Sequence, residues 1–93
     1  MTTYILFGKM TVNVVKDISS VRTMNATNII EKYGGQIQAL YALLGGADVL
    51  AIIDFPGMNE AMKASLELTK LLGIAFTTSP AMTMLEFDKL AEK

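Results

Sequence analysis

Apolar residues along this chain of 93 residues follow two rhythms, one of period two and one of period three to four. The first marks strands and the second marks helices. From Thr3 to Met10, Tyr4, Leu6 and Gly8 fall on one side of an extended chain, with Ile5 and Phe7 on the other. This alternation predicts a first strand. Thr11 to Ser20 is mixed and suggests no more than a short helical turn. Ser19 or Ser20 then supplies an N-cap for a helix ending near Tyr33. Its apolar stripe is Ile18, Val21, Ala26, Ile29, Ile30 and Tyr33, and Gly34-Gly35 stops it.

The stretch from Gln36 to Phe55, QIQALYALLGGADVLAIIDF, carries the most information. Its length of about 20 residues would suit a membrane span. The Gly-Gly pair and Asp48 at its midpoint fit a hairpin turn instead, and a charge in lipid would be costly. In the first arm Ile37, Ala39, Tyr41 and Leu43 alternate with Gln38, Leu40, Ala42 and Leu44. In the second, Val49, Ala51 and Ile53 alternate with Leu50, Ile52 and Asp54. Both sides of both strands are apolar, so the sheet they form needs cover on two sides.

Pro56-Gly57 ends that strand, and a second helix follows from about Met58 to Leu72. Its stripe is Ala61, Ala64, Ser65, Leu68, Leu71 and Leu72, widened by Met58, Met62 and Leu66, and Gly73 closes it. Ile74 to Met82 alternates again, with Pro80 suited to an edge strand. Thr83-Met84-Leu85-Glu86 is a capping-box pattern and predicts a short last helix through Leu90. The order β-α-β-β-α-β plus a terminal helix is that of a ferredoxin-like α+β fold, an antiparallel sheet with two helices on one face. Two such sheets stacked face to face would bury the second apolar set, as in a dimeric α+β barrel. The chain is therefore expected to form a homodimer or a higher homo-oligomer.

Composition strengthens that expectation. The length suits a single domain over residues 1–93. A chain of this size buries only about 60–65% of its unfolded surface. Yet 52% of its residues are hydrophobic. That surplus has a natural place in self-association. Net charge is −1, and the seven Lys are scattered with a single Arg, so no basic stripe exists to neutralise phosphates. There is no Cys and no His, which removes thiolate chemistry, the usual near-neutral acid/base and the commonest metal ligand. Neither Gly34-Gly35 nor Gly45-Gly46 has the framing of a phosphate loop. The expectation is no metal, no cofactor, no nucleic acid and no membrane partner. The first residues, MTTYILFGKM, lack a signal peptide's basic and apolar regions, so a cytoplasmic location is expected.

Four motifs in order carry a family resemblance: Thr3-Tyr4-Ile5, Lys32-Tyr33-Gly34-Gly35, Val49-Leu50-Ala51-Ile52-Ile53-Asp54-Phe55-Pro56, and Glu86-Phe87. Together they resemble the GYD-domain family of small bacterial and archaeal proteins, across nearly the whole chain. The tyrosine of the Gly-Tyr-Asp signature is Ala47 here, within Gly46-Ala47-Asp48. Any role of that ring is absent or falls to another aromatic such as Tyr41. The resemblance implies the fold and implies no general activity. The same G-x-D turn also resembles the ligand-sensing domain of Lrp/AsnC regulators, whose domains pair through their sheets and bind amino acids at subunit interfaces. The DNA-binding helices of such regulators are missing.

Four residues are candidates for ligand binding: Arg22, Tyr41, Asp48 and Asn25. Arg22 can clamp a carboxylate with two parallel hydrogen bonds, or pair on the surface with Asp17 or Asp54. Asp48 can accept from a ligand amine, or bond the backbone of its own turn. Tyr41, like Tyr4, can present a hydroxyl to a cavity or serve as core. Asn25 and Asn28 share a helix face and are poor helix formers, although simple solvent exposure explains such pairs. Asp54 stands alone in an apolar strand and could act as a base. The expected function is a non-enzymatic oligomeric binding or sensing module. Its small-molecule ligand sits at a subunit interface or between sheet and helices. One alternative is a cofactor-independent monooxygenase or isomerase of the dimeric α+β barrel type. It would use Asp54, Tyr41 or Tyr4 as acid or base and Asn25 or Asn28 to orient substrate. The other is a purely structural assembly subunit.

Overall fold

The strictly alternating segment at the start of the chain forms an inner strand of the sheet. In the computed structural model, which describes residues 1–10, 20–45 and 47–92, β1 (Thr2–Lys9) lies between β3 (Val49–Phe55) and β4 (Ala75–Ala81). β2 (Gln36–Ala42) pairs with the outer side of β3, so the order across the sheet is β2-β3-β1-β4, antiparallel throughout. Helices α1 (Ser20–Lys32), α2 (Met58–Leu72) and α3 (Met84–Ala91) complete the order β-α-β-β-α-β-α. This is the expected ferredoxin-like α+β arrangement. Pro80 falls in β4, an edge strand, where its missing N–H costs least. The expected turn within Thr11–Ser19, the places of Ile18 and Ser19, and Gly46 lie outside the described residues.

Strand register sorts side chains into two sets. Leu6 opposes Ala51 and Tyr4 opposes Ile53, and these rows with Phe55 form the floor of the core under the helices. Ile30 of α1 and Ala61, Ala64 and Leu68 of α2 pack onto them. Phe55, Leu6 and Ile53 are fully buried, each worth about 1.5–3 kcal/mol relative to an exposed side chain. The Tyr4 and Phe55 rings meet edge to face, with centroids 6.0 Å apart. The stripe of α2 is narrower than its sequence suggests. Met58, Met62 and Leu66 are exposed, as is Val21 on α1, because each helix touches the sheet along one line only.

The alternation expected in β2 breaks at Gln38. A bulge between Ile37 and Ala39 sets Ile37 opposite Ile53 but Ala39 opposite Ile52. Ile37 therefore shares the core side with Leu40 and Ala42, while Ala39 and Tyr41 take the other. Helix ends follow the glycines. After α1, Gly34 adopts φ +78°, and Gly35 N–H donates to the Ile30 carbonyl at 2.9 Å while Gly34 N–H donates to Glu31 at 3.0 Å. This is a Schellman closure, which only glycine enters cheaply. A Cβ at Gly35 would also stand 2.6 Å from Ile30 and 2.8 Å from Phe55. The capping box on α3 is present, with Glu86 N–H donating to Thr83 Oγ1 at 3.1 Å.

The face of the sheet away from α1 and α2 carries Ile5, Phe7, Leu50 and Ile52 in paired rows, with Tyr41 beside Leu50. No described element covers them, and Phe7 and Tyr41 are exposed. None of the residues of α3 is buried. The radius of gyration is 14.1 Å, against about 12.3 Å for a compact domain of this length. The accessible surface is 6266 Å², against about 5300 Å² for a monomer of this mass. The excess is close to the ~800 Å² that each partner contributes to a standard interface.

Candidate binding site

α1 and the sheet do not close completely on each other. Between them lies a hollow of about 320 Å³. Thr23 and Ala26 of α1 and Leu40 and Ala42 of β2 border it, above the buried Leu6, Ile30, Ala51 and Ile53. Polar groups are few. Thr23 and Thr27, one turn apart on α1, contribute to the wall, with the Thr27 hydroxyl donating to the Thr23 carbonyl at 3.0 Å. Arg22 is the charged residue of this wall among the described residues, and Tyr41, whose register sets it on the open face beside Leu50, borders the hollow.

The four candidate residues do not converge. Arg22 lines the hollow, and its Nη2 donates to the Leu72 carbonyl at 2.7 Å. It thereby ties α1 to the last turn of α2, where a cation meets the negative end of the helix dipole. Its suggested partner Asp54 is on the opposite side of the sheet and engaged elsewhere. Tyr41 stands at the edge of the hollow, more than half exposed. Asn25 is exposed on α1 and outside the hollow, as is Asn28.

Asp48 also lies outside the hollow and secures the hairpin. Its Oδ2 accepts from Met10 N–H at 2.9 Å and sits 3.9 Å from Lys9 Nζ. Its own N–H donates to the Gly8 carbonyl, and its carbonyl accepts from Leu43 N–H, both at 2.8 Å. The carboxylate thus fastens the hairpin end to the end of β1 rather than bonding within its own turn. Lys9 Nζ adds a bond to the Gly45 carbonyl at 2.9 Å.

Asp54 is not alone in an apolar strand. Thr3 Oγ1 donates to one of its oxygens at 2.5 Å and Gln38 Nε2 to the other at 2.7 Å. The Gln38 bond crosses from β2 to the neighbouring β3 on the face that Asp54 shares with Ile52. Tyr4 is buried against Phe55 in the core. The groups named for acid/base work are therefore spread over the core, the far face and the edge of the hollow. Among the described residues no group of three carboxylates, His or Cys is placed to hold a metal.

One polar cluster escaped the sequence reading because its members are more than thirty residues apart. Tyr33 OH donates to Glu67 Oε1 at 2.6 Å, and Lys32 Nζ approaches the same oxygen at 3.1 Å. The Tyr33 bond, aided by Lys32, holds the Glu67 carboxyl below its ordinary pKa. The same carboxylate pushes both the Tyr33 hydroxyl and the Lys32 ammonium up. The cluster links the end of α1 to α2, outside the hollow.

No helix among the described residues is long and apolar enough to cross a membrane. No curated protein and no solved structure matches the chain. The family model of the GYD domain matches residues 4–91 of the 93, and the chain belongs to the GYD-domain family.

Proposed function

We propose that this protein is a non-enzymatic, self-associating binding module. Two copies stack through the open faces of their sheets, and a small molecule occupies the hollow between sheet and α1 in each. The observation that carries this reading is the uncovered apolar face of Ile5, Phe7, Leu50 and Ile52. Its rows are the middle rows of the sheet, where a flat apolar surface costs most in water. The excess accessible surface supports the same reading, since it is of the size that an interface removes. Binding is favoured over catalysis because the hollow presents an apolar wall in which Arg22 is already engaged with Leu72.

Light scattering of the purified chain tests the association. A mass of twice 10.1 kDa or a higher multiple is expected. Ile52→Glu places a charge in the middle of the face and should yield monomers that retain their secondary structure. A wild-type monomer, or an Ile52→Glu variant with the wild-type oligomeric mass, would refute sheet-to-sheet pairing.

A further inference from the structure

Stacking of two open sheet faces, the reading on which this inference rests, leaves open how the copies are turned, and charge sets it. Among the described strand residues, Lys9 and Asp54 are the only charged ones. Register orders the open face into rows. Thr3 stands beside Asp54, then Ile5 beside Ile52, then Phe7 beside Leu50, and Lys9 follows on β1. Two apolar rows thus lie between an acidic end and a basic end. We infer that the two copies stack with their strands running in opposite directions, so that Lys9 of each copy meets the partner's Asp54.

Aligned sheets pack with their strands within about 30° of each other, so a two-fold axis between them runs along the strands or across them. An axis along the strands keeps like ends together and brings the two Asp54 carboxylates to the same end, where they repel. An axis across the strands exchanges the ends. Thr3 and Lys9 lie equally far on either side of Leu6, so an axis over Leu6 sets each Thr3–Asp54 row against a Lys9. It also lays Ile5 over the partner's Phe7. Both groups have room for the bond. Thr3 Oγ1 and Gln38 Nε2 donate to different oxygens of Asp54, and each oxygen keeps a lone pair for an ammonium. Among the described residues no cation stands within ion-pair distance of Asp54, and stacking without one would strip its charge of water uncompensated. The Lys9 side chain is 65% exposed, and Nζ gives one of its three donors to the Gly45 carbonyl.

Sedimentation equilibrium of two variants of the full chain, alone and mixed, tests the pairing. Lys9→Glu and Asp54→Lys should each weaken the dimer about tenfold or more, because each sets like charges together at both ends. An equimolar mixture of the two should recover association close to that of the wild type, since both pairs of the mixed dimer are again opposite in charge. Circular dichroism should be the same throughout. A mixture no tighter than its components overturns the inference, as does undiminished association of either variant alone. If Lys9→Glu does not fold, because it faces Asp48, Lys9→Gln decides the matter. The wild-type dimer should weaken as salt rises from about 0.05 to about 0.5 M, and Lys9→Gln should lose most of that dependence. Equal salt dependence overturns the pairing. Ile52→Glu keeps the two readings apart. If it is monomeric while the charge variants and their mixture behave alike, this inference fails and sheet-to-sheet stacking stands. A wild-type monomer defeats both.

Discussion

Glu67 shows how a single residue couples the fold to pH. Its carboxyl is held below its ordinary pKa by Tyr33 and Lys32, so the folded state binds its proton less readily than the unfolded chain. The stability this confers is complete above the unfolded pKa, near 4.5, and is lost as pH falls through the lower folded value. Glu67→Gln should therefore flatten the decline in unfolding free energy below about pH 4.5, as followed by urea denaturation at several pH values. An unchanged acid limb would show that the cluster contributes nothing to stability there. Tyr33 and Lys32 act in the opposite sense, their raised values making stability fall at high pH. None of this is visible in sequence, because Tyr33 and Glu67 meet only once α1 and α2 lie side by side. Arg22 stood out as the only guanidinium, but its Leu72 carbonyl is 50 residues away and is a backbone atom that carries no sequence signal.

At the scale of elements, local chemistry was read well wherever it is self-contained. The Thr83–Glu86 capping box needs four consecutive residues, and it forms as the sequence spells it. Because α3 buries none of its residues, this cap is a large part of what holds it. Thr83→Ala should destabilise the helix locally by about 1 kcal/mol. Amide hydrogen exchange within Met84–Ala91 should accelerate about fivefold, while exchange in β1 stays the same. Slower or equal exchange in α3 would indicate that packing against another surface dominates. Gly34-Gly35 and Gly73 likewise stop their helices as read, since a left-handed residue is a local requirement. The bulge at Gln38 was not legible. Strand alternation predicts one face for Ile37 and Ala39, and only pairing with β3 separates them.

The whole molecule is longer and exposes more surface than a compact domain of its mass. If the open sheet face is buried between copies, folding and association are linked, and thermal stability depends on concentration. A tenfold increase in protein should raise the unfolding midpoint by about 3–5 °C. A midpoint independent of concentration across the range would argue against association coupled to folding. The sequence by itself determined the order of elements, their caps, the two apolar sides of the central strands, and the lack of His and Cys chemistry. These are properties of neighbouring residues, fixed by periodicity, turn conformation and composition. The tertiary structure decided which candidate residues meet. It drew Asp48 away into the hairpin, left Asn25 in solvent, set Arg22 on the carbonyl of Leu72, and opened the hollow beside Thr27. Those outcomes depend on how far apart α1 and the sheet settle, a distance set by the summed packing of Ile30, Leu6, Ile53 and their neighbours, and no local stretch of sequence carries it.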